Sequence, residues 1–97
     1  MAVENITVST SGVLLQKYYV AFAQYSANIN VTSQCAEITF FNNGTSNVLI
    51  QNCLTLAPGQ SFAINGNEYE LDTSQYTLGF IGGGTNNCIV IRKFYTS

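Results

Sequence analysis

Between Ala36 and Asn65 the chain reads AEITFFNNGTSNVLIQNCLTLAPGQSFAIN, and apolar residues return at every second position: Ile38 and Phe40, Val48 and Ile50, Phe62 and Ile64. A β-strand sends successive side chains to opposite faces, so this rhythm fits strands that bury one face. Two interruptions, NNGTSN and Pro58-Gly59, carry turn chemistry. Asn43-Gly44 can take the positive φ of a tight hairpin, and Pro58-Gly59 suits the two centre positions of a type II turn. Successive antiparallel strands are the expected result.

The rest of the chain keeps this beat. Residues 3–9, VENITVS, alternate through Ile6 and Val8, and Ser11-Gly12 ends that strand. In residues 13–26, VLLQKYYVAFAQYS, Leu14, Leu15, Tyr18, Tyr19 and Phe22 also match a helical stripe. The richness in Tyr, Val and Phe and the scarcity of Glu and Lys favour one long strand there. Residues 27–33 alternate through Ile29 and Val31. Asn65-Gly66 is a second hairpin signal, expected to join SFAIN to a strand at EYEL. Tyr76, Leu78 and Phe80 alternate in QYTLGFI, and the closing CIVIRKFY opens with four apolar residues in a row, as a central strand would. The expected fold is all-β: an antiparallel β-sandwich or small β-barrel of about eight short strands. Residues 1–97 form one domain in this reading, with an N-terminal strand within 1–12 free to extend to a neighbour's sheet.

Charge narrows the function classes. Only 8% of residues are charged, against roughly 25% in an ordinary domain. Asn, Ser, Thr and Gln supply the polarity instead. Between Val3 and Ser33 the only charged residues are Glu4 and Lys17, so strands there lack the charges that normally keep sheet edges apart. An assembly subunit is expected. The net charge of −2, with Lys17, Arg92 and Lys93 as the only basic residues, argues against a nucleic-acid groove. No apolar run approaches the ~20 residues of a membrane span, and MAVENITVST lacks the basic and apolar parts of a signal peptide.

The reactive residue types form no recognisable centre. Cys35, Cys53 and Cys88 come without a CxxC pair and without histidine, which argues against zinc. Free, mostly buried thiols are expected. Glu68, Glu70 and Asp72 would share one face of a strand at EYEL, in a pattern open to acid/base work or Ca²⁺ ligation. The simpler reading is a solvated face opposite Tyr69 and Leu71. Gly82-Gly83-Gly84 with Thr85-Asn86-Asn87 reads as a flexible contact loop; no helix and no Lys-Ser/Thr follow it, so it is not a phosphate loop. The sequons at Asn5, Asn30 and Asn43 are about what eleven asparagines in a Ser/Thr-rich chain produce by chance. No catalytic residue, cofactor or metal is assigned, and an enzyme is not expected. Six tyrosines (Tyr18, Tyr19, Tyr25, Tyr69, Tyr76 and Tyr95) with abundant amides leave a glycan- or receptor-binding module as the alternative.

The run FNNGTSNVLIQNCLTLAPGQSFAINGNEYELDTSQYTLGF, with CIVIRKFY at its end, resembles small all-β virion proteins of bacteriophages. The residues that carry the likeness are Phe41, Asn43, Val48 and Ile50; Leu56, Pro58, Gly59, Ser61 and Phe62; and Ile91, Lys93 and Tyr95. It covers roughly residues 38–97 and rests partly on a strand-turn-strand pattern common to many sandwiches. It implies a capsid-associated, decoration, fibre-anchoring or spike subunit, made in the host cytoplasm and residing in the virion. Its partners would be further copies of itself or other virion proteins, and it brings no catalytic residues.

Overall fold

The structure is a computed structural model that describes residues 17–67 and 69–96. The strand expected at 3–9, the Ser11-Gly12 break and Glu68 lie outside the described residues. Eight strands are present: β1 Lys17–Tyr25, β2 Ile29–Thr32, β3 Glu37–Asn42, β4 Asn47–Ile50, β5 Leu54–Leu56, β6 Ser61–Ile64, β7 Gln75–Ile81 and β8 Cys88–Thr96. They form two four-stranded antiparallel sheets, ordered β1-β8-β3-β6 and β2-β7-β4-β5. The fold is an all-β sandwich. Lys17–Tyr25 is strand throughout, which settles the helix-or-strand question for the described part of that segment.

The pairing is nested. β4 pairs β5, β3 pairs β6, β2 pairs β7 and β1 pairs β8. Two further ladders, β3 with β8 and β4 with β7, complete the sheets. Among the described strands, β4 and β5 are therefore the only consecutive pair in one sheet; every other connection crosses the sandwich. CIVIRKFY is a central strand, as its apolar run suggests, flanked by β1 and β3.

Two turn readings need correction. Asn43-Gly44 does not close a hairpin, because β3 and β4 lie in different sheets. Gly44 is not in the positive-φ region; it is needed because a Cβ there would strike the Thr85 carbonyl oxygen. Asn65-Gly66 is not a hairpin either, since the described residues of EYEL form no strand. Gly66 passes against the Ala36 carbonyl, and the loop crosses to β7 through a single bridge between Asp72 and Cys35. The Pro58-Gly59 turn is as expected: Gly59 has φ 84° and Gln60 N–H donates to Ala57 O at 3.0 Å. It too joins the two sheets.

Between the sheets lie Val31, Cys35, Ile38, Phe40, Val48, Ile50, Leu56, Tyr76, Leu78, Cys88 and Val90. Asn42 is buried with them. Its Nδ2 donates to Ser46 O and Leu56 O (2.7 and 2.9 Å), and its Oδ1 accepts from Gly44 N–H at 3.0 Å. One amide thus satisfies the backbone where β3 crosses to β4, as burial of polar groups requires.

Candidate interaction surface

β1 is where the sandwich stops behaving like a sandwich. It is an edge strand, pairs only with β8 among the described residues, and is exposed from Lys17 through Phe22. Tyr18 is 59% exposed, Tyr19 54%, Val20 45% and Phe22 68%. Ordinarily one face of a strand pays for the other's exposure; here the aromatic side chains of both faces meet solvent.

Register shows what continues this surface. On β8, Cys88 and Val90 are buried in the core, so Ile89, Ile91, Lys93 and Tyr95 face outward. Their partners on β1 are Gln24, Phe22, Val20 and Tyr18, and those on β3 are Phe41 opposite Ile89, Thr39 opposite Ile91 and Glu37 opposite Lys93. The outer face is therefore a patch of Tyr, Phe, Ile and Val with one ion pair in it. Lys93 Nζ is 3.6 Å from Glu37 Oε2 and lies over the Tyr18 and Tyr95 rings, 4.3 and 5.0 Å from their centroids. A hydrogen bond with Tyr95, aided by Glu37, raises the Lys93 pKa. The opposite outer face is more polar: Asn30, Thr32, Asn47, Thr55, Gln75 and Thr77 alternate there with the core residues, with Leu49 and the exposed Ile81 beside them.

The three bases do not converge. Arg92, on the inner side of β8, donates through Nε and Nη2 to Thr32 O (3.1 and 2.8 Å) and so ties the two sheets together. Nor do Glu70 and Asp72, the two described acids of the expected row, lie on a common strand. Glu70 Oε1 accepts from Asn67 N–H at 2.8 Å within a turn. Asp72 accepts from Ser74 N–H at 2.9 Å and from the Tyr76 hydroxyl at 2.7 Å. Burial works upward on Asp72, but these hydrogen bonds outweigh it and hold its pKa at about 2. Among the described residues no group of acids, cysteines or histidines could hold a metal ion.

All three thiols are free. Cys35 and Cys88 are buried as expected, and burial pushes Cys88 up to about 11. Cys53 is the exposed one of the mostly buried set, because it ends the β4–β5 turn. The glycine loop is less free than its composition suggests. Thr85 O accepts from Thr45 and Ser46 N–H, and Thr85 N–H donates to Thr45 Oγ1 at 2.7 Å.

The tyrosines disperse. Tyr76 is in the core, edge-on to Phe40; Tyr19 stacks on Phe94, centroids 4.9 Å apart. Tyr18 and Tyr95 share the outer patch. Tyr69 and Tyr95 do line, with Glu70, Leu71, Phe94 and Thr96, an open groove of about 490 Å³ at one end of the sandwich. The low charge of β1 is legible in the sequence, whereas the exposure of both its faces among the described residues is not, and neither is the burial of Asn42. Neither the protein-family models, nor the curated proteins, nor the solved structures contain a significant match to this chain.

Proposed function

We propose that this chain is a structural subunit of a bacteriophage virion that acts through protein–protein contacts and catalyses nothing. The observation that carries the reading is β1: a nine-residue edge strand, aromatic and exposed on both faces, continuous with an apolar outer sheet face. Monomers rarely leave so much contiguous apolar surface open, and an unprotected edge invites another chain. The nested pairing adds support, since the orders β1-β8-β3-β6 and β2-β7-β4-β5 are those of a jelly roll, an architecture that viral capsid domains use. The likeness of Ile91, Lys93 and Tyr95 to a closing strand of phage virion proteins fits the same reading, because all three face outward. Particles assembled in cells that express the chain should carry it through a density gradient at a constant ratio to the major capsid protein. Recovery of the chain only in the soluble fraction, beside complete particles, would remove the reading.

A second reading, a glycan-binding module, has one observation in its favour: the end groove brings Tyr69 and Tyr95 beside Glu70. Jelly rolls also serve as lectin domains. Binding to a glycan array that disappears in Tyr69→Ala would favour this reading over assembly.

A further inference from the structure

The hydrogen-bonding ladder shows which backbone groups of β1 face outward. Ala36 N–H donates to Lys93 O at 2.9 Å, and Asn43 N–H donates to Asn87 O at 3.0 Å. The odd-numbered residues on this side of β8 thus turn their backbone groups toward β3, and the even-numbered ones toward β1. In the register Tyr19↔Phe94, Ala21↔Arg92 and Ala23↔Val90, it is Tyr19, Ala21 and Ala23 that bond β8. Tyr18, Val20, Phe22 and Gln24 therefore present their N–H and C=O groups at the outer edge.

We propose that a second copy of this chain docks on that edge, β1 lying antiparallel to the partner copy's β1 about a two-fold axis through Ala21. The proposal rests on the assembly reading and names its partner. In this register Tyr18 meets Gln24 of the second copy and Val20 meets its Phe22, so every outward N–H and C=O from Tyr18 to Gln24 finds a counterpart. The side chains also agree. Val20 beside Phe22 is a favourable β-branched–aromatic pair, and Tyr19 faces the small Ala23. The strand's one charged residue, Lys17, is at its end, so the two lysines lie at opposite ends of the joint ladder and no like charges meet. Pairing along this edge covers the strand backbone and the flanks of Tyr18, Val20 and Phe22 and leaves their outward-pointing faces open, so the backbone ladder and these lateral side-chain contacts carry the dimer. The product is one continuous eight-stranded sheet, closed by symmetry at two copies.

Cross-linking tests the register. In a Cys53→Ser background, Ala21→Cys places two thiols on directly opposed, non-hydrogen-bonded positions with Cα atoms about 4.5 Å apart, within disulfide reach. Mild oxidation should convert most of the protein to a covalent dimer, and Val20→Cys, which opposes Phe22, should cross-link several-fold less. Phe22→Lys should weaken the dimer about tenfold or more by setting a charge in the ladder, while the monomer's melting temperature stays put. Equal cross-linking of Ala21→Cys and Val20→Cys, or a wild-type monomer at high micromolar concentration, overturns the proposal. So does a full-length monomer that dimerises only after residues 1–12 are removed, since the chain's own N-terminal segment would then be the occupant. Cross-linking without entry into particles would sink the virion reading alone; entry without cross-linking would sink the self-pairing alone.

Discussion

Asn42 and Gly59 show how differently single residues hold this fold. Asn42 is an amide with 1% of its surface exposed, and three backbone groups depend on it. Asn42→Leu keeps the branched shape, adds bulk to a filled site and strands those groups, so urea unfolding should show a loss of about 2–4 kcal/mol. Gly59 has nothing within 4 Å of where a Cβ would sit, so its cost is purely conformational. Gly59→Val should lose about 1–3 kcal/mol, and Gly59→Asn, which tolerates the left-handed region, clearly less. A Gly59→Val stability equal to wild type would mean the turn is of another type. Asp72 reports through pH. Its folded pKa of about 2 lies below its ordinary 3.8, so its contribution is complete above about pH 4 and disappears as pH falls through 2. Asp72→Asn should therefore melt lower than wild type at neutral pH, with the gap closing between pH 4 and 2. A gap that is constant with pH would show that the carboxylate charge is not what matters.

At the scale of elements, the β4–β5 hairpin was the least legible part. Its turn residues are Gln51 and Asn52, both at positive φ (56° and 52°), with Cys53 N–H bonded to Ile50 O at 3.1 Å. Nothing in QNC announces a turn of the primed kind, which usually carries Asn-Gly. Long-range bonds stabilise it: Gln51 exchanges backbone and side-chain hydrogen bonds with Thr77 and Gln75 on β7. The same turn explains the exposure of Cys53 and sets a prediction for the thiols. Ellman's reagent should titrate one thiol rapidly in the native protein and three after unfolding without reductant. Slow reaction of all three would place Cys53 under cover, and fewer than three after unfolding would reveal a disulfide.

For the whole molecule, the contrast between its two outer faces predicts how it associates. One is mostly Asn, Thr and Gln with Leu49 and Ile81 among them; the other joins β1 to Ile89, Ile91 and Tyr95 with a single ion pair, Lys93–Glu37. On the assembly proposal, pairing along the β1 edge rests on backbone hydrogen bonds and apolar side-chain contact and on no charge pair, so it should persist in about 1 M salt, where the Debye length is only ~3 Å. Dissociation of the multimer on adding salt, seen as a fall in sedimentation coefficient, would assign it to charge pairs instead. A chain lacking residues 1–9 should lose more of the association than of its melting temperature only if that segment contributes to the contact.

Most of the strands, though neither β5 nor the failure of EYEL to form one, and most of their inward faces were determined by the sequence alone, because period-2 alternation is local: Ile38 and Phe40, Val48 and Ile50, or Tyr76 and Leu78 declare their common face without reference to any partner. Gly59 was legible for the same reason, its φ being imposed by the residues beside it. What the turns could not state is which sheet the chain enters next. Asn43-Gly44 and Asn65-Gly66 look like hairpins in sequence and are crossings in space, and their glycines answer to the carbonyls of Thr85 and Ala36, far away along the chain. Asn42 sat in an apparent turn cluster and proved to be core, since its partners Ser46 and Leu56 come together only once the sheets stack. The open faces of β1 are of this second kind. Alternation assigns a side to each residue, but only the tertiary arrangement decides whether anything lies on that side.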